Sequence, residues 1–321
     1  MHAVRIPRHG GPEVLEPVDL PDPEPGEGQV LVELAAVGVN FIDTYFREGI
    51  YPAPLPLVPG LEGAGTVRAV GPGVTTVAPG DRVAWTNVLG SYATLVVAPA
   101  AELVVVPDTI DLETATAVSL QGMTAHYLVH DTHPVAAGED VLVHAAAGGM
   151  GLLLCQMLRA KGARIIATTS SEEKDALARE AGAHETLRYG DDLAERVRAL
   201  TDGGGVAVVY DGVGASTFDA SLASLRVRGV LALYGAASGP VPPVDPQRLN
   251  SAGSVYLTRP SLAWHVRTPS ELAARAGAVF SAVAAGDLSV RIGGRYPLDA
   301  AADAQRDLQS RRTTGKLLLL P

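Results

Sequence analysis

One segment constrains the fold of this chain more than any other. In residues 140–160 an apolar strand runs through a glycine-rich loop into an apolar helix. Glycine at position 148 would let the backbone approach a pyrophosphate, glycine at position 151 would let the helix pack against the strand, and the helix N-terminus would add N–H donors. The segment predicts a dinucleotide-binding loop, with a purely structural turn as the alternative because Ala146 replaces the first glycine of the usual pattern. The predicted binding residues of the loop are Gly148, Gly149, Met150 and Gly151.

The chain on either side of this segment follows two different rhythms. Up to about residue 120, short β-branched runs are broken by turns rich in proline and glycine, which is typical of an all-β, barrel-like domain. From about residue 121 to 260, strands alternate with helices, which favours a doubly wound parallel sheet. Its six predicted strands cover residues 140–144, 164–168, 185–188, 207–210, 230–234 and 254–258.

The length of 321 residues suits two domains, since single domains usually hold about 100 to 200 residues. After the alternating region, the tail returns to a helix at residues 270–285 and a strand at residues 316–320, so we expect it to rejoin the first domain. The predicted fold class is α/β. The β-rich domain would comprise residues 1–120 with 262–321, and the nucleotide-binding domain residues 121–261.

Composition excludes several classes of protein. A net charge of −10 without a run of Lys or Arg disfavours nucleic acid as a partner. No apolar stretch approaches the roughly 18 residues that span a bilayer, and the early residues lack the apolar core of a secretion signal, so we expect no membrane association and a cytoplasmic protein. The single cysteine, Cys155, excludes intrachain disulfides and multi-cysteine metal sites.

The end of the second alternating strand bears on the choice of nicotinamide cofactor. NAD-selective sites have an acidic residue there, about 20 residues after the loop, whereas this strand ends in threonine and serine. Ser170 and Lys174 offer a hydroxyl and a cation for a 2′-phosphate, which favours NADPH. Alternatively, Ser170 and Glu173 form a helix capping box, and Lys174 is only a solvated residue. Tyr189 would stack on the adenine or cover the sheet edge.

Several motifs carry a resemblance to a known family. Residues 138–159 include the glycine-rich loop with Gln156 and Arg159, and further matches lie at residues 9–15, 40–45 and 258–262. Over essentially its whole length the chain resembles the medium-chain dehydrogenase/reductase superfamily, and within it the quinone oxidoreductases of zeta-crystallin type. The resemblance implies a GroES-like β-barrel domain joined to a Rossmann domain, and a homodimer formed through the strand at residues 254–258.

The resemblance also implies the site residues. Asn40 would orient cofactor or substrate, and Tyr45 would donate a proton or a hydrogen bond, whereas from the residues alone Asn40 and Asp43 suit a loop and the tyrosines suit a core. The implied catalytic residues are Asn40, Asp43, Tyr45 and Tyr51. The implied cofactor-binding residues beyond those already named are Phe41, Tyr127, Tyr234, Gly235, Ala236, Ala237, Pro260, Ser261, Leu262 and Arg312.

The zinc-containing members of the superfamily hold their catalytic metal with Cys and His ligands, and zinc prefers such S and N donors. By this resemblance, the corresponding positions here are Val39 or Asn40, and Leu61. None of these residues is a Cys or His, so we expect no metal. The resemblance then implies hydride transfer from NADPH to a quinone in a cleft between the domains. The alternatives are reduction of an activated C=C bond in an enone or enoyl substrate, and a nucleotide-binding protein without turnover.

Overall fold

The computed structural model describes all 321 residues, and they divide into two compact units. The first unit contains Met1–Met123 and His265–Pro321, and the second contains Thr124–Trp264. The nine α-helices are α1 Phe41–Glu48, α2 Leu112–Tyr127, α3 Gly149–Ala160, α4 Glu172–Ala181, α5 Leu193–Leu200, α6 Phe218–Ser224, α7 Gln247–Ser251, α8 Pro269–Ala285 and α9 Ala301–Gln309. None of these helices combines the length and the hydropathy needed to cross a membrane.

The first unit is built on a seven-stranded sheet and a separate two-stranded ribbon. In the sheet, β14, β15, β3, β4, β5 and β7 follow in this order and β6 also pairs with β3, while β1 and β2 form the ribbon. All pairs except β14–β15 are antiparallel. The strands are β1 His2–Arg5, β2 Glu16–Asp19, β3 Gln29–Val39, β4 Gly63–Val70, β5 Arg82–Trp85, β6 Leu95–Pro99, β7 Val104–Val105, β14 Ile292–Pro297 and β15 Lys316–Leu320.

Alternation along these strands produces the core of the first unit. In β3, Val30, Val32 and Leu34 point to the same face and are buried, because successive side chains of a strand point to opposite faces. They pack in one cluster with Trp85 and with Leu317 of the C-terminal strand. The C-terminal strand β15 therefore completes a sheet whose first strand along the chain is β3.

The second unit contains a six-stranded parallel sheet in the order β10-β9-β8-β11-β12-β13. Counted within the unit, this order is 3-2-1-4-5-6, the order of a Rossmann sheet, and it confirms the predicted fold class. The strands are β8 Asp140–Val143, β9 Arg164–Thr169, β10 Glu185–Arg188, β11 Val206–Asp211, β12 Leu225–Leu233 and β13 Tyr256–Thr258.

Three predicted strands of this sheet extend past the observed ends, and one of them, predicted at residues 230–234, runs from Leu225 to Leu233. The strand predicted at residues 254–258 begins only at Tyr256, because Ser254 has a φ of +53°, outside the β region. The strand predicted to end at His144 ends at Val143, because Ala145 has a φ of +50° and turns the chain into the loop.

Helix ends follow from local chemistry. Helix α8 begins where Thr268 Oγ1 accepts a hydrogen bond from the Glu271 amide at 3.2 Å and Glu271 Oε2 accepts one from the Thr268 amide at 3.0 Å. It ends at Gly286, whose φ of +78° suits glycine. In α3, Cys155 is fully buried among apolar neighbours, and burial raises the pKa of its thiol to about 12.

Candidate active site

The glycine-rich loop of the second unit lies between the end of β8 and the start of α3. Gly148 is the N-cap of the helix, with extended backbone. A Cβ at Gly151 would lie 2.5 Å from both the Ala145 carbonyl oxygen and the Ala146 Cα, so only glycine lets the helix approach the strand this closely. The loop therefore has the geometry in which a helix N-terminus presents N–H groups to an anion.

The loop is tied to the neighbouring strands by its own backbone. The Ala145 amide lies within hydrogen-bond distance of Tyr189 Oη at 2.9 Å and Thr168 Oγ1 at 3.2 Å, and the Ala146 amide donates to the Thr168 carbonyl at 3.0 Å. The Tyr189 ring is stacked against His144 with its centroid 5.9 Å away. Tyr189, predicted to contact adenine, thus also supports the loop.

Beneath the loop lies a buried chain of polar side chains that sequence reasoning missed. His144 Nδ1 is 3.0 Å from Thr168 Oγ1, and His144 Nε2 is 2.9 Å from Ser221 Oγ. Ser221 Oγ in turn donates to Asp211 Oδ2 at 2.7 Å, and Asp211 also accepts from the amides of Val213 and Gly214. Burial lowers the pKa of His144, which favours its neutral form. We call His144, Thr168, Ser221 and Asp211 the hydroxyl relay.

The end of β9 carries hydroxyls and cations. Lys174 Nζ donates to Ser170 Oγ at 3.2 Å, so these two predicted phosphate-binding residues lie together. The alternative capping role for Ser170 is wrong: the N-cap of α4 is Ser171, whose Oγ accepts from the Lys174 amide at 3.3 Å. Ser171 takes this place because β9 continues through Thr169 and the helix begins only at Glu172.

The segments predicted to hold the nicotinamide half are also ordered by backbone contacts. The amides of Tyr234 and Ala237 donate to the carbonyls of Asp211 and Gly212 at 2.9 Å and 3.2 Å. The Tyr234 ring lies directly over Gly212, where a Cβ would come within 2.7 Å of it. The segment at residues 234–237 therefore lies against the end of β11. In the other predicted segment, the Ser261 carbonyl accepts from the Trp264 amide at 3.1 Å, and Leu262 begins a short 3-10 turn.

In the first unit, Asn40 is held by a buried ion pair. Lys316 Nζ donates to Asn40 Oδ1 at 2.6 Å and also to Glu62 Oε2, while Asn40 Nδ2 donates to Glu62 Oε2 at 2.9 Å. The side chains of Lys316 and Glu62 have no exposed surface, and Glu62 Oε1 accepts from the Leu120 amide at 2.6 Å. We call Asn40, Glu62 and Lys316 the ion-pair triad. It fixes both ends of the Asn40 amide.

Asp43 belongs to a second buried network. Its Oδ2 accepts from the Asn40 amide at 2.9 Å and from the Tyr92 hydroxyl at 3.0 Å, whereas its Oδ1 has no hydrogen-bond partner. Burial raises the pKa of Asp43 to about 7 and is only partly offset by these two hydrogen bonds. Tyr92 also accepts from Gln305 Nε2 at 3.3 Å, and Gln305 Oε1 accepts from Arg47 at 2.5 Å.

Helix α1, which follows Asn40, presents the predicted aromatic residues. The rings of Tyr45 and Tyr51 meet edge to face with centroids 5.5 Å apart, and Phe46 meets Tyr51 at 5.8 Å. The amide of Tyr51 donates to the Tyr45 carbonyl at 3.2 Å. Both tyrosines are only partly buried, so their hydroxyl-bearing rings retain accessible surface. Phe41, the first residue of the helix, is likewise partly buried.

The structure brings Asn40, Asp43, Tyr45 and Tyr51 together on one helix and its flanks. Tyr127 is only 1% exposed, and Arg312 Nε lies 3.4 Å from Ser310 Oγ in the first unit. The roles of these residues remain predictions. Sequence reasoning missed Glu62, Lys316 and Tyr92, although a charged residue flanked by apolar residues and glycines, as at position 62, signals a buried polar contact.

No group of three or more His, Cys, Asp or Glu side chains is arranged to hold a metal ion. Protein-family models match a region in each of the two units. Residues 26–108 match "Alcohol dehydrogenase GroES-like domain", and residues 149–262 match "Zinc-binding dehydrogenase". The second description names zinc, but the two matched regions contain no such ligand cluster.

Comparison with characterised proteins gives full-length matches. The chain is 48% identical to a quinone oxidoreductase of Pseudomonas aeruginosa and 43% identical to a 2-haloacrylate reductase of Burkholderia sp., with 99% of this chain covered in both, and 99% and 98% of the relatives. Among solved structures, a mycobacterial protein complexed with NADPH matches with 54% identity and a TM-score of 0.98. Escherichia coli quinone oxidoreductase complexed with NADPH matches with 41% identity and a TM-score of 0.98. Both alignments cover 100% of each chain.

Proposed function

Because the chain belongs to the quinone oxidoreductases of the medium-chain dehydrogenase/reductase superfamily, we propose that it is an NADPH-dependent quinone reductase. The observation that carries the proposal is the pairing of a close-packed glycine loop with a strand end that offers hydroxyls and Lys174. That pairing fits a dinucleotide bearing a 2′-phosphate. The relatives with NADPH complexes support the same cofactor.

The residues of the second unit fit the parts of NADPH. The N-terminal amides of α3, from Gly149 to Gly151, would hold the pyrophosphate, since a twelve-residue helix presents unpaired N–H groups at that end. Ser170 and Lys174 would hold the 2′-phosphate. Tyr189 would contact the adenine, and the segments at residues 234–237 and 260–262 would line the nicotinamide half.

NADPH supplies the hydride when it is bound, and the protein supplies position and protons. The side chain of Asn40 would contact cofactor or acceptor from a fixed orientation, since the ion-pair triad leaves it no free rotation. Tyr45 and Tyr51 would form a partly accessible aromatic wall for a flat acceptor, with their hydroxyls as proton or hydrogen-bond donors. Asp43 would support Asn40 through its amide.

In this proposal the first unit is the substrate and catalytic domain, and the second is the cofactor domain. A homodimer would form through β13, which lies at the edge of its sheet and exposes 62% of Tyr256, because an edge strand leaves N–H and C=O groups to pair with another chain. The protein would act in the cytoplasm. Catalysis would need no metal.

The test follows loss of reduced nicotinamide absorbance with NADPH or NADH and with 1,4-benzoquinone or 9,10-phenanthrenequinone, with and without a chelator. The proposal predicts turnover of quinone with NADPH that the chelator does not change. Replacement of Tyr45 by Phe tests the hydroxyl as a donor: the ring of the aromatic wall remains, so the KM for quinone should change little while kcat falls. NADPH binding without quinone turnover would contradict the proposed activity.

The 2-haloacrylate reductase relative favours a second candidate, reduction of an activated C=C bond. The same partly accessible tyrosines could donate a proton to the carbon next to an electron-withdrawing group. A simple enone and 2-chloroacrylate in the same assay separate the candidates. Turnover of these alkenes without quinone turnover would assign the protein to the second activity.

A further inference from the structure

An arginine that the sequence analysis did not identify lies beside the end of β9. Arg188, the last residue of β10, donates through Nη1 to Thr169 Oγ1 at 2.8 Å. It also grips Asp175 with both ends of its guanidinium, at 2.5 Å to Oδ1 and 2.6 Å to Oδ2. Thr169 Oγ1 donates to the same carboxylate. Three side chains from two strands and a helix therefore meet at one strand end.

This strand end is where Rossmann domains distinguish their cofactors. An acidic residue at the end of the second strand accepts the ribose hydroxyls of NAD, and a nearby arginine accommodates the 2′-phosphate of NADP. Here β9 is that second strand and Thr169 is its last residue. The cluster thus holds one group of each kind, an aspartate and an arginine, in contact with the same threonine.

Asp175 is a charged group in this position. The hydrogen bonds from Arg188 lower the pKa of its carboxyl group most, and the hydrogen bond from Thr169 lowers it further. Burial of the carboxyl group acts in the opposite direction. Its side chain is only 21% exposed, so solvent would screen an unpaired carboxylate here incompletely. Such a carboxylate would repel a neighbouring anion. A parallel two-bond contact with arginine is the geometry that compensates a carboxylate best.

Resting on the proposed use of NADPH, we propose that Arg188 determines the preference for the 2′-phosphorylated cofactor by compensating the charge of Asp175. With the pair intact, Arg188 compensates the charge of Asp175, and Lys174 and Ser170 are left to hold a 2′-phosphate. With Arg188 removed, the same strand end presents an aspartate, the group that NAD-selective sites use. The preference therefore depends on a pair and not on Lys174 alone.

The test measures binding, so that it does not depend on turnover. Titration calorimetry with 2′,5′-ADP and with 5′-AMP isolates the contribution of the 2′-phosphate, and nicotinamide fluorescence compares NADPH with NADH. Arg188→Met keeps most of the aliphatic length of the side chain. It should weaken binding of 2′,5′-ADP about tenfold or more and leave binding of 5′-AMP little changed. Repulsion by one unit charge of the same sign a few ångströms away costs about this much at a protein surface. Asp175→Asn should bind 2′,5′-ADP as well as or better than the unmodified protein.

The double variant decides the mechanism. Removal of Asp175 in the Arg188→Met background should restore binding of 2′,5′-ADP to within about threefold of the unmodified protein. If the double variant stays as weak as Arg188→Met, compensation of Asp175 is not the source of the preference and the proposal is overturned. Equal weakening of 2′,5′-ADP and 5′-AMP by Arg188→Met, or no change in either, overturns it as well.

Arg164 provides a matched control at the opposite end of the same strand. It lies at the start of β9, pairs with Asp140 at 3.1 Å and is 38% exposed, against 39% for Arg188. Arg164→Met should leave the ratio of the two affinities unchanged. Failure of the quinone assay with these binding ratios intact would refute the proposed activity and leave this inference standing.

Discussion

The two units bury polar groups in different ways. In the first unit, the ion-pair triad places a full cation and a full anion in contact with each other and away from water. Asn40 is hydrogen-bonded to both. In the second unit, the hydroxyl relay ends in one carboxylate, Asp211, and continues through neutral groups to His144. Both networks lie directly beneath residues assigned here to the site.

The difference lies in how each network can respond to change. A hydroxyl both donates and accepts, so a chain of hydroxyls and a neutral imidazole can reverse its direction and stay satisfied. An ion pair cannot reverse, because an ammonium only donates and a carboxylate only accepts. The first unit therefore holds Asn40 in one orientation, whereas the second supports its loop with a network whose hydrogen bonds can reverse.

The largest effect is expected from breaking the ion pair. Lys316→Met leaves Glu62 buried without its cation and should lower the free energy of unfolding by about 3–5 kcal/mol, measured by urea denaturation. Replacing both partners, Lys316→Met with Glu62→Leu, should recover much of that loss, because no buried charge remains unpaired. A double variant no more stable than the single one would contradict this account.

The pH dependence of stability tests Asp43 in the same unit. Its folded pKa of about 7 lies above its ordinary value, so the folded state binds more protons than the unfolded state between these values, and stability falls as pH rises. The contribution is about 2 kcal/mol between pH 5 and pH 7. The difference between the unmodified protein and Asp43→Asn, followed by denaturation at each pH, should show this slope, and parallel curves would refute it.

Asp211→Asn tests the reversible network. The new amide can still accept from the Val213 and Gly214 amides and can donate to Ser221, which would turn the relay around and move the His144 proton from Nε2 to Nδ1. We expect a loss of only about 1–2 kcal/mol, since the hydrogen bonds are retained with neutral partners. The ¹⁵N shifts of the imidazole report the tautomer, and an unchanged tautomer would exclude the reversal.

The smallest effect is expected from charge at the surface. His2 bridges Asp299 and Asp19, and its hydrogen bonds to them, that to Asp299 first, raise its pKa. The contribution of this group is complete below the ordinary histidine pKa and is lost as pH rises through the raised value. Because the ring is 35% exposed and screened by solvent, His2→Gln should cost only about 0.5 kcal/mol at pH 6 and less at pH 8.

The regular elements of the fold were readable from the sequence, because their information is local. The strands predicted at residues 185–188 and 316–320 coincide with observed strands. Helix α1 was not predicted: its apolar residues do recur at helical spacing, but eight residues are fewer than the roughly 11 to 18 over which that period is recognised, and its start depends on Asp43 Oδ2 accepting from the Asn40 amide. Local patterns thus located the glycine loop but not the cap.

The parts of the site that sequence reasoning missed are contacts between distant residues. Lys316 meets Glu62 across 254 positions of the chain, and Arg188 meets Asp175 from a different element. Lys316, Arg188 and Asp175, each seen alone, suit a solvated surface position. Only the pairing of strands β15 and β3 brings Lys316 to Asn40, and that pairing is not written in either segment separately.

The burial of Cys155 has a consequence for chemical durability. Thiolates add covalently to quinones and activated alkenes. The addition is fastest where the thiol is accessible and has a low pKa. The single cysteine of this chain is inaccessible, and its pKa is raised to about 12, so almost none of it is thiolate at neutral pH. An enzyme acting on such acceptors would then present no cysteine for them to arylate and would escape this route of inactivation by its own substrate.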